Sequence, residues 1–393
     1  MSRHSVIINA KRTPVGAFRG YLAEQSAPQL GAVVIRDLMA TTGLEKIRVD
    51  EVIMGNVLSA GLGQAPARQA AIYGGLPNSV ECLTINKMCG SGLKAVMLGD
   101  QVVRSGDAEV VIAGGMESMS NAPYLLPKAR GGYSLGHGKM IDSMIHDGLW
   151  DAYNDLHMGN CADMCAKDRK YTREDQDEFT ITSYKRAQMA QADGFFDNEI
   201  VPVEIPMRKG DPVSVKEDEE PKRARFEKIP LLKPAFDENG TVTAANASKL
   251  NDAAAAVVIM TEEKANKLGL KPMARIVAHC SAAHAPEWFT TAPGKAIGKV
   301  LKKTNMNVED MDLWEINEAF AAVAMAAIDD FHLDPAKVNI NGGAVALGHP
   351  IGASGARILT SLLHGLQRTE GRFGLASLCI GGGEASALIV ERI

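Results

Sequence analysis

Ile85-Asn86-Lys87-Met88-Cys89-Gly90-Ser91-Gly92-Leu93 reads as a strand end, a tight turn and a helix start. Leu93, Val96, Met97 and Val103 recur at helical spacing, and Gly106 is a natural stop. Cys89 therefore falls at or just before a helix N-terminus, where unpaired N–H groups and the helix dipole favour negative charge. A thiol placed there ionises more readily, and the thiolate is the nucleophile. Gly90 and Gly92 leave a substrate room to approach the backbone. The plainer alternative is a buried, inert cysteine beside a turn.

Possible partners lie far downstream. Residues 341–357 form a Gly-rich loop leading into a helix, with His349 between Gly348 and Pro350. Leu378-Cys379-Ile380-Gly381-Gly382-Gly383-Glu384 ends a strand with a second cysteine before three glycines. Asn317-Glu318-Ala319-Phe320 opens another helix. A Cys–His pair can activate a thiol, and a second thiol could serve as a base. Taken singly, the histidine could be a surface or capping residue, the asparagine a helix cap and Cys379 a core residue.

Alternating elements must position these groups. Strands are expected at 6–10, 51–55, 84–86 and 108–115, and helices at 27–42, 64–73 and from 91 onward. This is an α/β arrangement with buried, mainly parallel strands. From 116 to 246 the character shifts to turns, a polar helix at 172–192 and a charged run at 207–233. That run reads as a solvated loop; the alternative is that Lys222, Arg223, Arg225 or Lys228 meets ligand phosphates. A helix-or-strand run at 253–260, a strand at 274–279, helices at 293–303 and 319–328, and elements at 358–366 and 375–380 complete the alternation. Ser91-Gly92 and Ser354-Gly355 each open a helix followed by a strand ending in glycines, an internal repeat that implies two similar halves.

The 393 residues suffice for more than one domain, and a net charge of −5 argues against a nucleic-acid or anionic-membrane surface. Six cysteines without a CxxC pair make a zinc site or disulfide framework unexpected. Val6 to Ala10 already reads as a core strand, with no leader pattern before it and no membrane-length apolar run anywhere. A cytoplasmic protein is expected.

The four segments together resemble the thiolase family, over nearly the whole length. The resemblance implies a five-layered αβαβα core of two duplicated α/β halves with an inserted loop domain. The divisions would be 1–118 plus 250–270, a CoA-binding loop domain at 119–249, and 271–393. It implies reversible Claisen condensation of two acetyl-CoA to acetoacetyl-CoA and CoA. Cys89 would carry the acetyl group, His349 would take its proton, and Cys379 would be the second base. The N–H groups of Cys89 and Gly381 would bind the acyl oxygen; His349, with a water held by Asn317, would bind the enolate oxygen. Leu149, His157, Ala244, Ser248, Ala319 and Phe320 would lie along pantetheine, and Met158 would narrow the acyl pocket towards short chains. CoA is substrate and product, so no cofactor or metal is implied. A homotetramer, a dimer of dimers, and a place in fatty acid metabolism are expected. Two departures stand out: Lys249 and Ala253 where many relatives have Gly, and Glu384-Ala385 after the three glycines. The alternatives are a broader 3-ketoacyl-CoA thiolase, a non-catalytic acyl-CoA-binding relative, and a ketoacyl or hydroxymethylglutaryl-CoA synthase. The binding relative should lack one of the four groups, and the synthases lack the second cysteine.

Overall fold

The computed structural model describes residues 4–44, 48–207 and 209–393. Its nine main strands are β1 (Ser5–Arg12), β2 (Glu51–Gly55), β3 (Glu81–Ile85), β4 (Val110–Ser118), β5 (Asn251–Thr261), β6 (Ala274–Ala283), β7 (Leu313–Ile316), β8 (Phe373–Ile380) and β9 (Glu384–Arg392). They run in the order β7-β8-β9-β6-β1-β5-β4-β2-β3. The β1–β6 joint is narrow, pairing Val6 with Arg275 and Ile7 with Ala274, so the path divides into two halves.

The helices that matter are α1 (Ala27–Thr42), α2 (Pro66–Tyr73), α3 (Ser91–Ser105), α4 (Met158–Arg169), α5 (Arg173–Ala192), α6 (Ala292–Thr304), α7 (Ala321–Phe331), α8 (Ala344–Leu347) and α9 (Ser354–Thr369). Local signals explain their ends. Ser26 and Gln29 form a capping box on α1, Gly43 closes it in the left-handed region at φ 67°, and Thr172 with Asp175 caps α5.

Strand alternation produces the layers. On β5, Ala254, Ala256 and Val258 face α1 and α2, while Val257 and Ile259 face the opposite way. There they meet Leu93 and Val96 of α3, Ile358 and Leu362 of α9, and Ala376 and Leu388 of the second half. The far side of the second half buries Ile316, Leu375 and Ile389 against α6 and α7. Helices, sheet, helices, sheet, helices: these are five layers, with α3 and α9 in the middle. Each large aliphatic side chain fully buried there contributes about 1.5–3 kcal/mol.

The two repeated helices touch through their glycines. A Cβ on Gly355 would come within 2.3 Å of the Leu93 nitrogen, and one on Gly92 within 2.8 Å of the Ala356 nitrogen. Only glycine permits that approach, which brings the turn before α3 beside the loop before α9.

Several expectations need correction. The sheet is mixed: β7–β8, β2–β3 and β2–β4 are parallel, whereas the five other pairings along the path are antiparallel. Three glycines join β8 to β9, too short a link for a parallel crossover, so direction must reverse. The 253–260 run is strand, and α2 starts at Pro66. The charged run is no simple solvated loop. Asp218 is fully buried and receives two hydrogen bonds from Arg12, at 2.7 and 2.9 Å. The excursion leaves β4 at Ser118 and returns on β5 with Asp252 directly opposite it.

Candidate active site

Cys89 sits in the turn between β3 and α3. Ser91 Oγ accepts from the Lys87 N–H at 2.8 Å and donates to the Met88 carbonyl at 2.7 Å. Asn86 Oδ1 accepts the Met88 N–H at 2.9 Å. Together they hold Met88 at φ 46°, left-handed backbone that costs a non-glycine residue about 1–3 kcal/mol. The strain aims the next residue's thiol into a cavity of about 450 Å³. The N–H groups of Gly381 and of Cys89 itself stand near the sulfur and favour its ionised form. Burial nonetheless pushes the thiol up to about 11, and the charge of Glu117 adds to the effect. The easier ionisation expected from a helix N-terminus is thus outweighed by desolvation, and the resting group is a neutral thiol.

His349 reaches the same cavity from the loop between α8 and α9. Its N–H donates to Asn251 Oδ1 at 2.9 Å and to the Lys249 carbonyl at 3.2 Å. Gly348 before it adopts φ 109°, and a Cβ there would strike the Asn251 side chain. Ring Nδ1 lies 2.6 Å from Ser354 Oγ, whose hydroxyl donates onward to the Pro350 carbonyl at 2.9 Å. That chain assigns the proton to Nδ1, donating to Ser354, and leaves the Nε2 lone pair free. Nε2 has no protein partner. Burial and the nearby Arg357 cation push the imidazole down to about 3, so it is neutral.

Asn317 follows β7 and is fully buried; its amide nitrogen lies 3.4 Å from His349 Nδ1, and its oxygen accepts from Arg357 at 3.3 Å. It backs the imidazole instead of lining the cavity. It is no helix cap either, since Phe320 holds that position for α7. Cys379, next to last in β8, is likewise fully buried and lies outside the cavity lining. It packs with Met158, Ala319 and Phe320, residues that form the wall. Its thiol is pushed well up, first by burial and then by the neighbouring Cys89.

Gly381, Leu149, His157, Met158, Ala244, Ser248, Ala319 and Phe320 all line the cavity. His157 caps α4, with Nδ1 accepting the Gly159 N–H at 3.0 Å, and stacks on Phe236 at 4.7 Å. The Ser248 N–H donates to the Ala319 carbonyl at 3.0 Å, tying one wall to the other. Arg223 borders the cavity and also an outer groove shared with Lys222, so two of the four basic candidates stand near the mouth. Arg225 and Lys228 are exposed and line neither. Glu384 contacts Lys87, joining the triple-glycine turn to the Cys89 turn. Among the described residues, no group of three His, Cys, Asp or Glu side chains could hold a metal ion, and no helix is long and apolar enough to cross a membrane.

Residues 5–263 match the thiolase N-terminal domain and residues 270–392 the thiolase C-terminal domain. The chain belongs to the thiolase family. An acetyl-CoA acetyltransferase of Cupriavidus necator is 55% identical over 388 residues, covering 98% of this chain and 99% of that one. A mitochondrial acetyl-CoA acetyltransferase of Bos taurus is 51% identical, covering 99% of this chain and 91% of that one. The crystal structure of a Bacillus anthracis acetyl-CoA acetyltransferase superposes with a TM-score of 0.97 at 42% identity, covering 100% of this chain and 99% of that one. A thiolase from Ascaris suum in complex with coenzyme A gives 0.95 at 44%, with full coverage of both chains.

Sequence reasoning about this thiolase missed the groups behind the imidazole. Ser354 was visible only as a helix start, and Arg357 only as a residue in that helix. Glu117 was not singled out, yet its buried carboxylate accepts from Asn56 Nδ2 and from the N–H groups of Val57, Leu58 and Gly352. A lone acidic residue ending an apolar strand was the available signal.

Proposed function

We propose that the protein is an acetyl-CoA C-acetyltransferase, condensing two acetyl-CoA to acetoacetyl-CoA and CoA, and running thiolysis in reverse. The observation that carries this reading is the pairing, in one cavity, of a neutral Cys89 thiol with a neutral His349 whose Nε2 is free. A neutral pair suits concerted transfer: the sulfur attacks the thioester carbonyl as its proton passes to Nε2. The Gly381 and Cys89 N–H groups, already near the sulfur, stand ready for the oxygen that becomes negative beside it. CoA leaves with the proton held by His349.

Once CoA has left with its proton, Cys379 passes its own proton to His349. The resulting thiolate removes the α-proton of the second acetyl-CoA, the carbanion attacks acetyl-Cys89, and the Cys89 sulfur leaves with the proton His349 holds. His349, protonated on Nε2 at that stage, donates to the enolate oxygen, and Asn317 backs the ring. Leu149, His157, Ala244, Ser248, Ala319 and Phe320 carry the pantetheine arm, and the loop domain at 119–249 binds CoA between halves 1–118 plus 250–270 and 271–393. Met158, only 8% exposed, closes the acyl end and favours short chains over a broader 3-ketoacyl range. CoA serves as substrate and product, with no further cofactor. The working form is a cytoplasmic homotetramer in fatty acid metabolism.

Incubation with radiolabelled acetyl-CoA should leave one acetyl group on Cys89 and release one CoA. Thiolysis of acetoacetyl-CoA should outrun that of longer 3-ketoacyl-CoAs. An absent adduct removes the activity; equal rates across chain lengths favour the broader enzyme.

A further inference from the structure

Lys249 is a side chain the proposed chemistry does not use, although it lines the same cavity. Its ammonium donates to three backbone carbonyls: Ala245 at 3.1 Å, Ala247 at 2.7 Å and Val345 at 3.3 Å. The first two belong to the segment carrying Ser248; the third lies in α8, four residues before His349. The Lys249 carbonyl accepts the His349 N–H. One residue therefore grips the imidazole loop twice, by side chain at Val345 and by main chain at His349. Through the Ser248–Ala319 and Ala247–Phe320 links, the same segment is fastened to the stretch after Asn317.

We propose that Lys249 is a positioning residue whose charged ammonium staples the substrate-lining segment to the His349 loop and fixes the imidazole over the cavity. Three carbonyls consume all three ammonium protons. A neutral amine has only two, so deprotonation leaves one buried carbonyl unpaired and slackens the link. The groups facing the ammonium are the carboxyls of Glu220 and Glu318, which favour its charge, and the Tyr184 ring at 5.8 Å. Burial outweighs both carboxyls and lowers the amine to about 8. The staple should therefore hold at neutral pH and fail as pH rises through about 8.

This inference rests on the activity proposed above, but part of its test does not. Lys249→Met keeps most of the apolar stem and deletes the charge. At matched pH, amide hydrogen exchange in the peptide spanning 341–353 should quicken at least fivefold. In acetoacetyl-CoA thiolysis, kcat should fall about tenfold with KM within twofold. The native enzyme should lose kcat above pH 8. Lys249→Arg keeps a cation at every pH used, so its profile should lack that limb whatever its absolute rate. Unchanged exchange in Lys249→Met, a KM effect without a kcat effect, or an alkaline limb persisting in Lys249→Arg would each overturn the proposal. If the native protein turns over no acetoacetyl-CoA, the exchange measurement alone decides. Faster exchange then upholds the staple, while the missing turnover refutes the activity.

Discussion

The turn before α3 and the end of β8 each place a thiol at the same cavity, one on its lining and one behind its wall. Cys89 is half-buried, borders the cavity and has two N–H groups near its sulfur. Cys379 is sealed in β8 behind the wall that Met158, Ala319 and Phe320 build. Both thiols are neutral at rest, for the same reason of desolvation, yet their surroundings fit different tasks. In the proposed cycle, donors at the first stabilise an oxygen that becomes negative beside it, and the enclosure of the second keeps it from competing for the acyl group. Environment rather than residue type divides the labour.

The strongest way to break this contrast is to exchange the roles. Cys89→Ala should abolish the acetyl adduct and lower turnover at least about 10⁴-fold, as deletion of a nucleophile does elsewhere. A labelled adduct that survives, on Cys379 for instance, would mean the two thiols are interchangeable. Cys379→Ser should acetylate at Cys89 at a near-native rate while condensation falls about 10²–10⁴-fold, the range for loss of a general base. Normal condensation in that variant would assign the base elsewhere.

The imidazole that shares the cavity with Cys89 sharpens the contrast through pH. The folded protein holds His349 neutral down to about 3, whereas the unfolded chain protonates it below about 6.5. Between these values the unfolded state binds the extra proton, so stability falls as pH drops. From pH 7 to 5 this one ring should cost about 2 kcal/mol. Urea midpoints at the two pH values should therefore separate less in His349→Asn than in the native protein; parallel shifts would mean the ring is not held neutral. The smallest effect belongs to the wall. Met158→Ala should raise the relative rate on longer 3-ketoacyl-CoAs about tenfold, a pocket-size difference worth roughly 1–3 kcal/mol. An unchanged preference would remove Met158 from the acyl pocket.

What could be read from the sequence follows from distance along the chain. The Cys89 turn, the His349 loop and the triple-glycine strand end are contiguous stretches whose periodicity and glycines encode their local shape. The pairing of Ser91-Gly92 with Ser354-Gly355 was visible too, and these are the helices that meet at the centre. Strand direction was not visible, because an apolar run such as Ala253 to Met260 looks the same whichever way its neighbour points. The charged stretch misled for a related reason. Asp218 owes its burial to Arg12, 206 positions away, and nothing local marks such a partner. Ser354, Arg357 and Lys249 belong to this second group, since each acts on the imidazole through a contact that exists only once the layers have packed.

The excursion between β4 and β5 departs from Ser118 and comes back opposite it at Asp252. Opposed residues in such a ladder stand only about 4.5–5.5 Å apart, so the hole this segment makes in the sheet is no wider than an ordinary hairpin needs. Cassettes of very different length could be grafted at that point with little penalty to the scaffold beneath, because closure entropy grows slowly with length. An architecture of this kind lets substrate range diversify by exchange of an outer part, while the sulfur chemistry below is inherited intact.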